Sequence, residues 1–279
     1  MIDLHTHSCF SDGTLTPTQL VKEAEKLGLS AIALTDHNTV EGLPEFMTAG
    51  EHSAVTVIPG IEFSTEYENT ELHMIALFVA EAYYPLITAR MEDFRRRKEQ
   101  SNRDLVTVLQ QEGLHIDYEK IRTRSEGYVN RAVIAAELTE LGYAATIQEA
   151  FKKYLNPDRG YYIPTRRMDA YEAITFIKSI GAVAVLAHPF LNLSEAALRR
   201  FLPQAVDSGL DAMETMYPKY DEQTTRLARQ IAAEMGLLQS GGSDFHGKNK
   251  PDIFLGTGRG TLKIPDLFLT DLFARKNTA

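Results

Sequence analysis

Short apolar runs, each set off from the next by turn residues or by a stretch of helical periodicity, are the feature that most constrains how this chain can fold. They fall at residues 2–4, 31–35, 55–63, 72–79, 182–187, 210–216 and 237–241. The run Ala31-Ile32-Ala33-Leu34-Thr35 is apolar on both faces, as expected of a buried parallel strand covered by helices on either side. About seven such strands, several separated by helices, predict an α/β fold with a parallel sheet, which we read as a barrel. The first helix has a well-marked start. Thr16 is a candidate N-cap, Pro17 suits the first helical position, and Gln19 stands where a capping box places Glu or Gln. Leu20, Val21, Ala24 and Leu27 then recur at helical spacing, and Gly28 is a stop signal.

Residues 86–165 break this rhythm. They hold a charge-rich helical stretch at 91–112, further helical stretches at 132–141 and 147–154, and no convincing buried strand. We therefore expect a barrel from residues 1–85 and 166–279, with 86–165 as a helical insertion. The turn Asn156-Pro157-Asp158-Arg159-Gly160 is expected to mark the return to the barrel. The basic run Arg95-Arg96-Arg97-Lys98 is flanked by Glu92, Asp93 and Glu99, so it reads as a solvated face and not as a phosphate track. A chain of 279 residues is long enough for one barrel carrying such an insertion.

The net charge of −9 repels polyanions over the surface as a whole, so phosphate binding needs a local positive focus, which bound metal cations would supply. A single cysteine, Cys9, excludes an intramolecular disulfide. It reads as a small packed thiol, because no surrounding pattern supports a nucleophile. The first residues show no basic and apolar leader, and no run of about 18 apolar residues occurs, so the expected location is cytoplasmic, without a membrane and with no protein partner implied.

Six of the eight histidines fall in compact settings, most with a carboxylate nearby. These are His5-Thr6-His7 followed by Ser11-Asp12-Gly13, then Thr35-Asp36-His37, Leu72-His73-Met74, Ala187-His188-Pro189 and Ser243-Asp244-Phe245-His246, with Glu62 in Gly60-Ile61-Glu62. Each lies at or just past the C-terminal end of an expected strand, where parallel α/β folds gather their active sites. His73 is the exception, falling near the start of its strand. His5 and His7, two residues apart on an extended segment, point the same way and can grip one cation. Mixed imidazole and carboxylate ligation suits Zn²⁺, Mn²⁺ or Fe, and a site of this size suggests more than one ion. Neighbouring ions can share a hydroxide that attacks phosphorus, a chemistry that needs no serine or cysteine nucleophile. Asp36 reads as an N-cap or as a partner that orients a ligand, and is left outside the ligand set. His52 and His115 belong to no cluster and read as ordinary surface or core residues.

The order His-Thr-His, Ser-Asp-Gly, Thr-Asp-His, Gly-Ile-Glu, Leu-His, Ala-His-Pro and Ser-Asp-Phe-His strongly resembles the polymerase and histidinol phosphatase (PHP) family. Within it, the chain resembles the small bacterial phosphoesterases similar to nucleoside 3′,5′-bisphosphate phosphatase. The motifs run from residue 5 to 246. The resemblance implies a distorted seven-stranded (βα) TIM-like barrel with two or three divalent metals at its C-terminal mouth, manganese being favoured and iron or zinc known in the family. Carried over by position, His5, His7, Glu62 and Asp244 would bind one ion, and Asp12, His37 and His246 a second. Glu62 would bridge to a third held by His73 and His188. His188, Asp244 and His246 would carry catalytic roles. The implied reaction is hydrolysis of a phosphate monoester on a small metabolite, a nucleoside 3′,5′-bisphosphate or monophosphate above all. The alternatives are a 5′-3′ exoribonuclease acting on short RNA with the same site and a non-catalytic metal-binding accessory module. The insertion resembles the family's helical substrate lid. Where relatives often carry Arg-Pro-His, this chain has Asn130-Arg131-Ala132-Val133, keeping the arginine and lacking the histidine. Arg131 and Arg159 are the expected contacts to a substrate phosphate, since a guanidinium fork matches phosphate geometry.

Overall fold

The computed structural model describes residues 1–125, 129–165 and 167–277. The chain divides into two compact units, one formed by Met1–Thr88 with Arg167–Ala279 and the other by Ala89–Arg166.

The first unit opens with strand β1 (Ile2–Asp3), helix α1 (Pro17–Lys26), β2 (Ala31–Leu34), helix α2 (Leu43–Gly50), and the long strands β3 (Thr56–Tyr67) and β4 (Thr70–Leu77). Helix α1 starts as its residues dictate. Thr16 Oγ1 accepts from the Gln19 N–H at 3.2 Å while Gln19 Oε1 accepts from the Thr16 N–H at 2.9 Å, closing a capping box. Its far end is followed by Gly28 in the left-handed region (φ 68°).

Helix α3 (Tyr84–Gln111) starts in the first unit and continues into the second, which adds α4 (Tyr118–Arg124), α5 (Arg131–Glu140) and the short α6 (Ile147–Ala150). The helix begins well before the charge-rich stretch at 91–112, because a 3₁₀ turn (Glu81–Tyr83) and Pro85 in the first turn lead into it. Leu105, Leu109, Ile121, Ile134, Leu138 and Leu155 form this unit's own buried cluster. The Asn156–Gly160 turn lies inside this unit, with Gly160 at φ 78°, and the chain re-enters the first unit at Arg167.

From there the first unit resumes with β5 (Met168–Asp169), α7 (Ala170–Ser179), β6 (Val183–Ala187), α8 (Glu195–Asp207), β7 (Ala212–Met216), α9 (Glu222–Glu234), β8 (Leu238–Gly241) and α10 (Asp266–Lys276). The strands pair in the order β1-β2-β3-β4-β6-β7-β8, with β5 beside β3. The segments after β8 and β1 then meet. Asp244 N–H donates to His5 O at 2.9 Å and His7 N–H to Phe245 O at 2.9 Å, nearly closing a seven-stranded barrel. Gly242 is required at this seam, since a Cβ there would stand 2.2 Å from His5 Cβ. Apolar side chains of the strands fill the interior, and Ile264, Phe268 and Leu272 pack into the same cluster. Among the described residues, no helix is long and apolar enough to cross a membrane.

The sheet is not wholly parallel. β4 runs antiparallel to both β3 and β6, and β3 turns directly into it through Glu68 and Asn69, both at positive φ (46° and 62°). This is a tight hairpin turn without glycine, and hence without the usual sequence mark. Because β4 is reversed, its beginning lies beside the C-terminal ends of its neighbours, and His73 pairs in register with Ser64 and Ala187.

Candidate metal centre

Most ligand candidates sit at or just past the ends of barrel strands. His5 and His7 follow β1, His37 follows β2, Glu62 lies within β3, His73 lies near the start of the reversed β4, His188 follows β6, and Asp244 and His246 follow β8. Asp12 comes from the loop after His7, where Gly13 packs so closely that a Cβ would lie 2.2 Å from His7 O. All nine side chains gather in four overlapping groups: His7, Asp12, His37 and His246; His5, His7 and Asp244; His5, Glu62 and His188; and His37, Glu62 and His73.

In the innermost group His5 Nε2 lies 3.0 Å from His7 Nε2, and these two nitrogens stand 3.2 and 3.3 Å from Glu62 Oε2. Asp244 Oδ1 is 3.6 and 3.3 Å from the same nitrogens. Ligands about 2.1 Å from a tetrahedral ion stand roughly 3.4 Å apart, so these spacings fit one cation. A second observation supports the fit. His7 Nδ1, His37 Nδ1 and Glu62 Oε2 are buried with no hydrogen-bond partner among the described residues, a costly arrangement for polar atoms unless a cation takes their lone pairs. Glu62 Oε1 faces the other way, 2.8 Å from His73 Nδ1 and 3.1 Å from His188 Nε2. At the outer edge, Asp12 Oδ1 lies 3.1 Å from His246 Nε2 and 3.9 Å from His37 Nε2. His188 (φ 27°) and Asp244 (φ 53°) both hold left-handed backbone, strain of the kind found where a site dictates side-chain direction.

The electrostatics follow from burial and crowding. At His5, burial pulls the pKa down, but the charges of Glu62, Glu214 and Asp244 outweigh it and hold the imidazole well above its usual value. At His7 burial again pulls the pKa down, but the close carboxylates of Asp244 and Glu62 outweigh it and raise the pKa to about 9. His73 reaches about 10 through Glu62 and Glu71. At His37 burial prevails, helped by His7 and His73, and the pKa falls to about 3. Burial would raise Glu62 and Asp244, yet the surrounding imidazoles keep both carboxylates well below their ordinary range. The cluster is therefore anionic at its carboxylates and ready to exchange protons for cations.

The profile of the PHP domain matches residues 3–163, more than half of the chain. The chain belongs to the PHP family. Like the family, it is a metal-dependent phosphoesterase. Among similar proteins, the 5′-3′ exoribonuclease Rnm of Salmonella typhimurium is 34% identical over 88% of this chain and 84% of its own length. The 3′,5′-nucleoside bisphosphate phosphatase of Chromobacterium violaceum is 26% identical over 88% and 87%. A solved structure described as a candidate metal-dependent phosphoesterase from Bifidobacterium adolescentis superposes with a TM-score of 0.80 at 30% identity, covering 98% of this chain and 96% of that one.

Several residues that support this PHP site escape sequence reading. Glu214 on β7 is fully buried. Its Oε1 lies 3.1 Å from His5 Nδ1, and its Oε2 accepts from the His188 N–H at 2.7 Å. Its mark was available as a carboxylate within the apolar run 210–216, which also holds Asp211. Asp244 Oδ2 accepts from the Tyr217 hydroxyl and from Lys250 Nζ, each at 2.7 Å, which leaves Oδ1 turned toward the imidazoles. Burial and then Asp244 push the Tyr217 pKa up, so its hydroxyl keeps the proton it donates. Asp36 is a loop anchor and not an N-cap, accepting from Ser8 N–H, Ser8 Oγ and Ser11 Oγ at 2.6 to 2.7 Å. Cys9 is exposed and not packed, because it opens the turn in which the neighbouring Ser8 takes the inward position. His52 and His115 are exposed and stand apart from the cluster.

The two arginines expected to contact phosphate lie in the second unit, outside these groups. The Arg131 guanidinium is 4.4 Å from the centre of the Tyr162 ring and donates to Leu155 O at 3.3 Å. Arg159 is exposed and approaches Asp158 at 3.8 Å.

Proposed function

We propose that the protein hydrolyses phosphate monoesters of nucleotides, nucleoside 3′,5′-bisphosphates or monophosphates, with manganese as the favoured metal. The observation that carries the reading is Glu62, a fully buried carboxylate whose two oxygens face five imidazoles from four chain segments while Oε2 makes no hydrogen bond. Such a carboxylate is built to be shared between cations. His5, His7, Glu62 and Asp244 would hold one ion, Asp12, His37 and His246 a second, and His73 with His188 a third beside Glu62.

Ions held there supply Lewis acidity toward phosphoryl oxygens and an activated water at neutral pH. The chain's own contribution is orientation and proton handling. Glu214 sets the direction of the His5 ring, and Tyr217 with Lys250 fixes Asp244. His188 and His246 are assigned to hold or pass the proton that the leaving alkoxide needs. Of the two arginines assigned to substrate phosphate, Arg159 is exposed and supports the role better than Arg131, which is engaged with Tyr162.

The second reading, 5′-3′ exoribonuclease action on short RNA, is favoured by one observation: the Salmonella exoribonuclease is more similar in sequence than the Chromobacterium phosphatase. A phosphate-release screen with Mn²⁺ over mononucleotides, bisphosphates and 5′-phosphorylated oligoribonucleotides separates the two. Inorganic phosphate from bisphosphates or monophosphates supports the first reading, and stepwise shortening of the oligonucleotides supports the second. Failure to hydrolyse any of them removes both.

A further inference from the structure

A cavity of about 490 Å³ in the first unit lies beside the candidate ligand cluster, lined by the loop after β7, the start of α9 and the segment that precedes α10. The volume falls within the range of small-ligand sites. Tyr217 belongs to both places. It lines the cavity, its hydroxyl donates to Asp244 at 2.7 Å, and its ring centre is 5.3 Å from that of His188. Tyr220 lies against it, ring centres 5.4 Å apart. The cavity is thus one side chain away from two residues of the ligand cluster.

The other walls are cationic. Arg226, Arg229 and Arg259 all line the cavity, in a protein whose net charge is −9. Two of them are partly neutralised, Arg226 by Glu222 at 3.3 Å and Arg259 by Asp252 at 2.8 Å. Asp221, which also lines the cavity, is committed to capping α9 through the Thr224 N–H at 2.7 Å. Arg229 has no carboxylate partner among the described residues, its one polar contact being Met216 Sδ at 3.1 Å. A guanidinium without a counter-ion, with two more beside it, is suited to a phosphate. The tyrosines and Leu262 add surface for a base or ribose.

We infer that this cavity is a second phosphate-binding site, and that it takes a phosphate of a nucleotide next to the metal-bound one. The inference rests on the nucleotide phosphoesterase reading. Its ligand chemistry has two sources, the next nucleotide of a longer substrate or a free mononucleotide acting as effector, and the experiment distinguishes them.

The test compares full-length wild type with the Arg229→Gln/Arg259→Gln double variant, and with Arg229→Gln alone in case the double variant loses stability. Two substrates are used with Mn²⁺, p-nitrophenyl phosphate and a 5′-phosphorylated diribonucleotide, and binding of 5′-AMP is measured separately by calorimetry on the metal-stripped protein, which does not turn it over. The expected result is a roughly tenfold rise in KM for the dinucleotide with kcat unchanged, and unaltered turnover of p-nitrophenyl phosphate. A roughly tenfold loss of 5′-AMP affinity with an unchanged dinucleotide KM also supports the site, occupied then by a free mononucleotide. Unchanged KM and unchanged 5′-AMP affinity in both variants overturn it. A wild type that hydrolyses neither substrate overturns the functional reading instead, and calorimetry of 5′-AMP on the same variants still decides the cavity.

Discussion

Glu62 Oε1 lies 2.8 Å from His73 Nδ1 although the two residues stand on adjacent strands that run in opposite directions. The reversed β4 places His73 at the same end of the barrel as the C-terminal ends of the parallel strands, so Glu62 can serve ligands on both sides of it. Glu62→Gln therefore disturbs more than one metal position. Metal analysis of the purified variant should find at least one ion per chain fewer than wild type. Turnover should fall by well over about 100-fold, beyond the cost of losing a residue that only orients ligands. A full metal complement in the variant refutes the shared role.

Glu214 acts through others. It holds His5 Nδ1 and the His188 backbone N–H, and an amide at this position keeps the shape while losing the charge that fixes the imidazole. Glu214→Gln should weaken metal affinity about 10- to 100-fold, measured by competition with a chelating dye, while the melting temperature of the metal-free protein changes little. Unaltered affinity would show that His5 orients itself without help.

Metal binding should depend on pH with a definite sign. In the metal-free chain His5 is held well above its usual value, His7 titrates at about 9 and His73 at about 10, so at neutral pH these rings carry protons that a cation must displace. Loading Mn²⁺ at pH 7 should release protons, and apparent affinity should rise as pH increases toward 9, the direction set by ligands that bind only when deprotonated. Proton release is measurable with an indicator dye in weak buffer. Affinity that falls over the same interval contradicts the assigned ligands.

The hairpin that reverses β4 carries local strain. Glu68 and Asn69 both hold positive φ, and a non-glycine residue there costs about 1 kcal/mol or more. The pair Glu68→Asn with Asn69→Gly meets the turn's own preference. It should raise the melting temperature by roughly 2–4 °C with metal content unchanged. A lower melting temperature would mean the turn is held by side-chain contacts and not by backbone preference.

Much of the barrel was legible because each of its buried strands, such as 31–35 and 182–187, is a short apolar run bounded by helix signals. What the pattern could not express was strand direction. Glu68-Asn69 contains no glycine, so the β3–β4 hairpin read as a continuation of the parallel series, and His73 stood out at the wrong end of its strand. That misplacement was itself the visible trace of the reversal. The candidate ligand motifs were legible because His-x-His and Asp-Phe-His crowd chemistry into a few residues. Glu214, Tyr217 and Lys250 were not, because each acts on a ligand distant in sequence and is an ordinary residue in its local setting. The cavity beside Tyr217 was illegible for the same reason, since α9 supplies two of its arginines and the loop before α10 the third.

The account stands most directly on metal content. Protein purified without chelator should carry roughly two or three transition ions per chain by mass spectrometry, lose its phosphoesterase activity when stripped, and regain it on addition of Mn²⁺. Stripped protein that is free of metal and still hydrolyses phosphoesters at the original rate would contradict it.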